Sequence, residues 1–447
     1  MMRILHMTPH LGGGVGRVIC NYIAHSHRNE ELEHRLICLE PVGQQTHDWA
    51  QAEQVLLFDD MWSQIPALMS QVARADVVLV HWWNHPLLMD LLVRQQLPPA
   101  RLLMWSHVAG YSAPQVFSPA LVSLPDLFVV ATPYSYHAPT FEQSPELLES
   151  VRLVFTCAGL EHISHRPSPP HAGFRIGYVG TVDPCKLHPD FLRISAAADI
   201  PNAEFVVCGG DRHLQWAALA EKQGLSDRFR FLGNVTDVAE QLATFDVFGY
   251  PLQRQHYGTG EQVLIEAMGA GVPPVVLGPG AESYVVQHEV TGLVAESTED
   301  YARGLERLWR DSRLRQQLGN QARQAALSEF TIEKTAAAWY EVFEEARGLP
   351  KRPHRWATEH TVNSKISDAE LFMISLGQQG DAFREDGAKG ERIASLPYFF
   401  RTRTRGTPFH YRRFFPDDPR LRDWCRILSQ ETPPDAPTET RLLSDAA

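Results

Sequence analysis

The sequence predicts an α/β protein made of two doubly wound parallel-sheet units followed by a differently patterned C-terminal extension. Three observations carry that prediction. Short β-rich runs alternate with segments of helical period, the alternation occurs twice, and a Pro- and His-rich stretch, HRPSPPHAG at 165–173, separates the two series. Alternation of this kind puts helices on both faces of a parallel sheet, and ligands of such sheets sit beyond the carboxyl ends of the strands. The boundaries that follow are 1–168, 169–346 and 347–447.

In order along the chain, the first series comprises RILHM, HRLICLE, VVLVHWW, RLLMWSH and LFVVATP, with helical spacing in stretches such as Ser63–Ala75. The second comprises FRIGYVG, AEFVVCGG, RFRFLG, DVFGYP and PPVVLG. The stretch 165–173 is the expected hinge between the units. Near Leu349 the sequence LPKRPHRWATEH breaks a helical segment that ends at Gly348. Beyond it, 399–424 holds seven arginines, three aspartates and seven aromatics. Two readings stand there: an accessory subdomain whose arginines pair with carboxylates and whose aromatics pack on the body, or an acceptor, lipid-headgroup or RNA surface.

Bulk properties narrow the function classes. At 447 residues the chain exceeds one core and suggests two or three domains, and its 44% hydrophobic and 21% charged content is that of a globular protein. A balance of 41 Lys+Arg against 53 Asp+Glu, −12 in all, argues against general attraction to nucleic acid or anionic lipid. Six dispersed cysteines without a C-x-x-C pair point to reduced thiols, not to a zinc site or a disulfide framework. The N-terminal apolar run is too short for a secretory signal, and no run reaches bilayer-spanning length. A cytoplasmic location is expected, with peripheral contact at the inner face of the membrane left open.

Three loops carry candidate chemistry. HMTPHLGGGVGR (6–17) places Gly12, Gly13 and Gly14 between the first strand and a helix, where backbone amides and the helix dipole suit a phosphate. A dinucleotide fingerprint is excluded by spacing, since Arg17 stands where a third glycine is needed. GYVGTVDPCKLHPDFL (177–192) carries Thr181 and then Lys186, a point charge able to neutralise a diphosphate or to remain a solvated surface lysine. GTGEQVLIEAMGAGVPPVV (258–276) reads as turn, helix and buried strand. Its turn, with Thr259 and Gly260, frees helix amides for an anion, and Glu266 is an acceptor suited to paired sugar hydroxyls. His107 follows the strand RLLMWSH; among 20 histidines it could equally be structural. His81 and His85, with Trp82 and Trp83, are further candidates for an acceptor pocket or for packing.

Together, and in this order, these pieces resemble the family-4 (group 1) retaining glycosyltransferases of GT-B fold, over roughly residues 1–346 and most specifically over 174–330. IGYVG…K, FRFLGNVTDVAEQLATFDVFGYP, IEAMGAGVPPVV and HEVTGLV carry the likeness. The resemblance implies that Gly13, Gly14 and Lys186 hold a donor diphosphate, that Glu266 binds the nucleotide ribose, and that His107 reaches donor sugar and acceptor. It implies a nucleotide-sugar donor, a glycan, lipid-linked or small-molecule acceptor, no bound cofactor or metal, and no nucleic-acid partner. Two positions depart from the family. Gly258 stands where a glutamate eight residues before Glu266 is usual, and Thr181 where arginine is usual. Glu261 is a substitute for the missing carboxylate only if it lies on an unwound first turn, because five helical residues would rotate it about 140° from Glu266. Gln262 shares the face of Glu266 and is a second candidate for a sugar hydroxyl. A GT-B protein without catalysis and a nucleotide-sugar epimerase of the same fold are the alternatives.

Overall fold

The structure, a computed structural model, describes residues 1–157, 159–163, 171–210, 212–254, 256–356, 366–384 and 389–429. Most of the expected hinge, 165–170, lies outside the described residues.

The five runs of the first series, with two further short strands at the edges, form one seven-stranded sheet: β1 (Met2–Thr8), β2 (Leu32–Cys38), β3 (Leu56–Phe58), β4 (Val77–Trp82), β5 (Leu102–Ser106), β6 (Leu127–Val130) and β7 (Val151–Leu153), of which β3 and β7 belong to no run of the series. Its spatial order is β7-β6-β5-β4-β1-β2-β3, and each pairing is parallel. The five runs of the second series, with a sixth strand, β13, at the edge, form a six-stranded sheet from β8 (Phe174–Val179), β9 (Ala203–Cys208), β10 (Phe229–Gly233), β11 (Val247–Tyr250), β12 (Pro274–Leu277) and β13 (Leu293–Ala295). Its order, β10-β9-β8-β11-β12-β13, is again wholly parallel. In both sheets the order reverses beside the first strand, and that switch point is where a doubly wound sheet opens a crevice. The strands read as near-continuous apolar runs because helices cover both faces; β4 is buried throughout.

Four helices matter for the site: α1 (Gly13–Ser26), α2 (Pro86–Arg94), α3 (Gln262–Gly269) and α4 (Ile332–Arg347). Helix α1 starts at Gly13 in the left-handed region, φ +68°, and a Cβ on Gly16 would fall 1.8 Å from the Leu11 carbonyl oxygen, so the tight strand-to-helix turn needs glycine there. Helix α4 lies on the N-terminal sheet. Its Trp339 sits 4.8 Å from Trp105 and 6.2 Å from Tyr22, and Phe343 and Ala346 are fully buried in the same cluster.

The extension is an integral part of the N-terminal core. Phe372, Phe383, Phe400, Tyr411 and Trp424 are buried together with Leu88, Leu91 and Leu92 of α2. Tyr411 donates its hydroxyl to Asn84 Oδ1 at 2.9 Å. Of the arginines, Arg420 stacks on Trp424 and Arg413 on Phe414, whereas Arg405 covers Tyr257 at 5.0 Å and donates to Cys185 Sγ at 3.1 Å. Aromatic packing therefore accounts for much of this segment, and Arg405 reaches the second lobe.

Candidate active site at the cleft

On the second lobe the site begins at the carboxyl end of β8. The loop after Gly180 turns through Asp183, which accepts the Cys185 amide at 2.9 Å, and so presents Lys186. Lys186 Nζ lies 3.1 Å from Glu261 Oε2, and the side chains are 14% and 0% exposed. Tyr250 at the end of β11 donates its hydroxyl to the same oxygen at 2.6 Å. Burial works to lower the Lys186 pKa, but Glu261, with Tyr257 and Glu282 beside it, outweighs burial and holds the ammonium above its usual range. Burial likewise works to raise the Glu261 pKa, and Lys186, His256 and Tyr250 together hold it below the usual carboxylate range. Both partners are therefore charged at neutral pH.

Glu261 is not on a helical turn. It is the N-cap of α3 in the left-handed conformation, φ 39°, which turns its carboxylate back toward the preceding loop. A Cβ built on Gly258 would lie 2.0 Å from Glu261 Oε1. Glu261 thus fills the space that a side chain at 258 would occupy, so the departure at Gly258 and the odd placement of Glu261 are two halves of one exchange. The same cluster continues through His256, which accepts the Gly258 amide on Nδ1 at 3.0 Å and meets Glu282 through Nε2 at 3.1 Å.

Glu266, one turn into α3, is 2% exposed and faces the other way. Arg17, in the first turns of α1, crosses the gap and places Nη1 2.9 Å from Glu266 Oε1. His162 completes the triad, with Nε2 at 3.2 Å from the carboxylate and 2.6 Å from Arg17 Nη2. The exposed glycines Gly12, Gly13 and Gly14 at the start of α1 are thereby held opposite α3. Lys186 and Glu266 do not meet each other; each has its own partner, and the start of α3 stands between the two pairs. Thr181 Oγ1 lies 3.5 Å from the Tyr257 hydroxyl, and Gly260 packs on Thr156. Gln262 opens α3, and Thr259 is buried beside it. A hollow of about 370 Å³ opens over the carboxyl ends of β8, β9 and β10, lined by Gly180, Thr181, Gly209, Gly210 and Asn234.

The first lobe meets this surface through the loop after β5. The Ala109 amide donates to the Tyr257 carbonyl at 3.0 Å, which brings His107 to the loop that carries Thr259 and Gly260. His107 is 9% exposed, and its Nε2 lies 3.0 Å from His81 Nδ1. Burial pushes its pKa down to about 3, so the ring is neutral at physiological pH. Trp82 is core, fully buried against Phe117, while Trp83 stays partly exposed, edge-on to His10 at 5.4 Å.

His10, Glu40 and His85 have ligand atoms within 4.8 Å of one another. Their hydrogen bonds fit a carboxylate cluster better than a cation site. His85 Nδ1 accepts the Leu87 amide and His10 Nδ1 accepts the Gly12 amide, so each neutral ring carries its proton on Nε2. The Nε2 of His85, which carries the proton, lies 3.2 Å from Glu40 Oε1, whereas a metal ion would need a bare nitrogen there.

Of the residues the sequence singles out, the structure gathers His107, Lys186, Glu266, Thr181, Thr259, Gly260, Glu261, Gln262 and the Gly12–Gly14 loop around one interlobe surface. Arg17, His162, Tyr257 and His256 complete it and were missed. In the sequence Arg17 stands out only as the residue that spoils a glycine fingerprint. Its spacing, one helical turn after Gly13, was the available signal, but its partner lies 249 positions away in the chain.

Known proteins resemble this chain over part of its sequence and in its fold. Residues 163–325 match the family model of glycosyl transferases group 1. The chain is 32% identical over 194 residues to the D-inositol 3-phosphate glycosyltransferase of Salinispora arenicola, covering 40% of this chain and 42% of that one. It is 31% identical over 127 residues to the N-acetyl-alpha-D-glucosaminyl L-malate synthase of Bacillus anthracis, covering 28% and 32%. It thus spans less than half the length of these relatives. Among solved structures, Alr3699/HepE of Anabaena in complex with UDP and glucose superposes with a TM-score of 0.60 at 14% identity, over 77% of this chain and 100% of that one. Sucrose-phosphate synthase of Thermosynechococcus elongatus gives 0.59 at 17%, over 77% and 99%. The fold is GT-B. No helix among the described residues is long and apolar enough to cross a membrane.

Proposed function

We propose that this chain, whose segment 163–325 is that of the group 1 glycosyl transferases, moves a sugar from a nucleotide-diphosphate donor to an acceptor hydroxyl with retention of configuration and without a metal ion. The observation that carries the reading is the charged Lys186–Glu261 pair at the carboxyl end of β8, with the glycine-rich start of α1 held to the same helix α3 through Arg17 and Glu266. A diphosphate entering there displaces Lys186 from Glu261 in part, and gains the ammonium, the free amides of α1 and the dipole of α3 as fixed counter-charges. Glu266 takes the ribose hydroxyls, and Arg17, bound to it, turns toward the phosphates. The hollow at Thr181 and Asn234 receives the base.

Retention comes with the likeness to the retaining family, and the two buried carboxylates bear on its route, because they argue against a glycosyl-enzyme intermediate. Glu261 is bound to Lys186 and Tyr250, and Glu266 to Arg17 and His162, so neither is placed as a nucleophile toward an anomeric carbon. A front-face reaction, in which the acceptor oxygen arrives on the side the diphosphate leaves, needs no such nucleophile. His107 lies at the acceptor side of this geometry. The acceptor is a glycan, a lipid-linked sugar or a small molecule, and the site of action is the cytoplasm or the inner face of the membrane.

A protein that binds donor without turnover is the second reading, motivated by Gly258 and Thr181. The position of Glu261 against Gly258 weighs against it, because a carboxylate is present where the departure seemed to remove one. The test is a thermal-shift screen of nucleotide sugars, UDP-sugars first, since a ligand at a hundred times its Kd stabilises by about 2.7 kcal/mol. Transfer follows on the hits, with anomeric configuration read by NMR and chelator added in parallel. A product of inverted configuration, or activity lost to chelator, removes that part of the reading. An isomeric nucleotide sugar formed without acceptor identifies an epimerase instead.

A further inference from the structure

Four histidines of the first lobe form one continuous hydrogen-bonded row. Ser26 Oγ lies 3.0 Å from His34 Nε2, His34 Nδ1 2.8 Å from His6 Nε2, His6 Nδ1 2.9 Å from His81 Nε2, and His81 Nδ1 3.0 Å from His107 Nε2. The sheet register explains the alignment. His34 pairs with Ile4, His6 with Leu79 and His81 with Trp105, so each histidine sits two residues further along its strand than the one before, always on the same face. The row climbs diagonally from the C-terminal end of α1 to the carboxyl edge of the sheet at the cleft. Adjacent rings at the cleft end are nearly parallel, 16° between His6 and His81 and 18° between His81 and His107.

A neutral imidazole has one N–H and one bare nitrogen, so each N···N contact needs one proton and the four tautomers are set as a unit. Two arrangements exist, with every proton directed toward Ser26 or every proton directed toward the cleft. Ser26 is the last residue of α1, where the helix dipole is negative, and this favours N–H bonds pointing toward it. In that arrangement His107 offers a bare Nδ1, which has no protein partner among the described residues.

We propose that this row is a proton relay that takes the proton of the acceptor hydroxyl at His107 and passes a proton out at Ser26. The inference rests on the glycosyl-transfer reading. As the acceptor O–H breaks, an N–H forms at His107 Nδ1, and the Nε2 proton of His107 moves to His81 Nδ1. The Nε2 protons of His81, His6 and His34 follow in turn, to His6, His34 and Ser26. Ser26 then gives its own hydroxyl proton to water or to His27, the next residue, whose Nδ1 is buried and has no hydrogen-bond partner among the described residues. The acceptor oxygen takes the sugar and the diphosphate leaves with the bonding electrons. When product departs, the transfers run backwards: a proton re-enters at Ser26 and His107 loses one to water in the cleft. A relay answers a difficulty at this position. Burial holds His34 and His107 down at about 3 and His6 and His81 well below their usual range, so a single ring here is a poor resting place for a charge.

The test uses the full chain with ¹⁵N-labelled histidine. All four rings are expected in the Nε2–H tautomer; His107 in the Nδ1–H form, or a mixture along the row, overturns the relay, and this result does not depend on any activity. His6→Gln keeps hydrogen-bonding atoms but cannot pass a proton, and Ser26→Ala removes the exit without harm to a helix. Each is expected to lower kcat about tenfold or more, to diminish the solvent deuterium effect on kcat, and to leave donor Kd unchanged. Folded variants with wild-type kcat and isotope effect sink the proposal. If the wild-type protein turns over no donor, the glycosyl-transfer reading fails, and the tautomers still decide whether the row is ordered as a relay.

Discussion

At the carboxyl ends of their strands the two sheets present different kinds of polar group. The N-terminal sheet ends in neutral rings, His6, His81 and His107, joined to one another by hydrogen bonds among buried apolar side chains. The C-terminal sheet ends in a buried ion pair, Lys186 against Glu261, with His256 beside Glu282, in an equally dry setting. Strand order is the same from the third strand through the first to the fourth. The difference teaches that a shared fold fixes where polar groups gather, while the side chains decide whether they respond to a proton or to an anion. A neutral row is sensitive to acid and indifferent to salt. An ion pair that a diphosphate can enter is a binding device.

That contrast can be broken in order of expected effect. Lys186→Ala leaves Glu261 buried without its cation, and a lost partner of this kind costs about 3–5 kcal/mol. Chemical denaturation should report that loss, and adding Glu261→Gln in the same chain should recover most of it. A single variant as stable as wild type means the pair is more open to water than its burial indicates.

Glu266→Ala should weaken nucleotide-sugar binding by roughly 1–3 kcal/mol, the scale of hydrogen bonds to a charged group. Calorimetry on the folded variant measures it, and unchanged affinity removes Glu266 from the ribose site.

Acid should separate the lobes. For the histidine row the folded pKa values lie below the usual one of about 6.5, reaching about 3 at His34 and His107. Between those limits the unfolded chain holds more protons than the folded one, so stability is complete above pH 6.5 and falls as pH drops below it. Each ring contributes a slope of up to about 1.4 kcal/mol per pH unit. Glu261 acts in a lower window: its folded pKa is below the usual carboxylate value, so its stabilising share is lost only as pH falls through that lower folded value. Unfolding free energies at pH 7 and pH 5.5 therefore sense the buried histidines, which gather in the first lobe with only His188 held low in the second among the described residues, and His34→Gln should flatten the slope. An identical slope in the variant contradicts the assignment.

The smallest effect belongs to the bridge between lobes. Arg17 is 38% exposed, and an ion pair screened to that degree is worth about 0.2–1 kcal/mol. A double-mutant cycle of Arg17→Ala with Glu266→Ala measures it, and the coupling should shrink at high salt. A coupling that salt leaves intact would mean the contact stays dry.

Much of this arrangement was legible from local pattern. The paired series of strand and helix gave ten of the thirteen strands, missing the short edge strands β3, β7 and β13, and the strand-end loops gave Gly12–Gly14, Lys186 and Glu266, because period and turn chemistry are properties of neighbours in the chain. Glu261 was legible only in part. Helical rotation argued that it faces away from Glu266, and it does, but its left-handed backbone turns it onto Gly258 instead of leaving it at the surface. His6 and His34 were not legible as a pair, since a histidine inside an apolar strand looks like any inward polar residue until strand register is known. The Arg- and aromatic-rich extension showed its composition but not that its rings complete the core beside α2.

The amino-acid sequence by itself determined two wound lobes, the strand-end loops that face one another, and the residue types that suit phosphate and sugar, because each depends on contacts within a few tens of residues. Only the tertiary structure decided which charges meet: Lys186 with Glu261 in one lobe, Arg17 with Glu266 across two, and four histidines in one file. Those pairings depend on register and lobe placement, set by the summed burial of apolar surface over hundreds of residues, and no single segment carries that information.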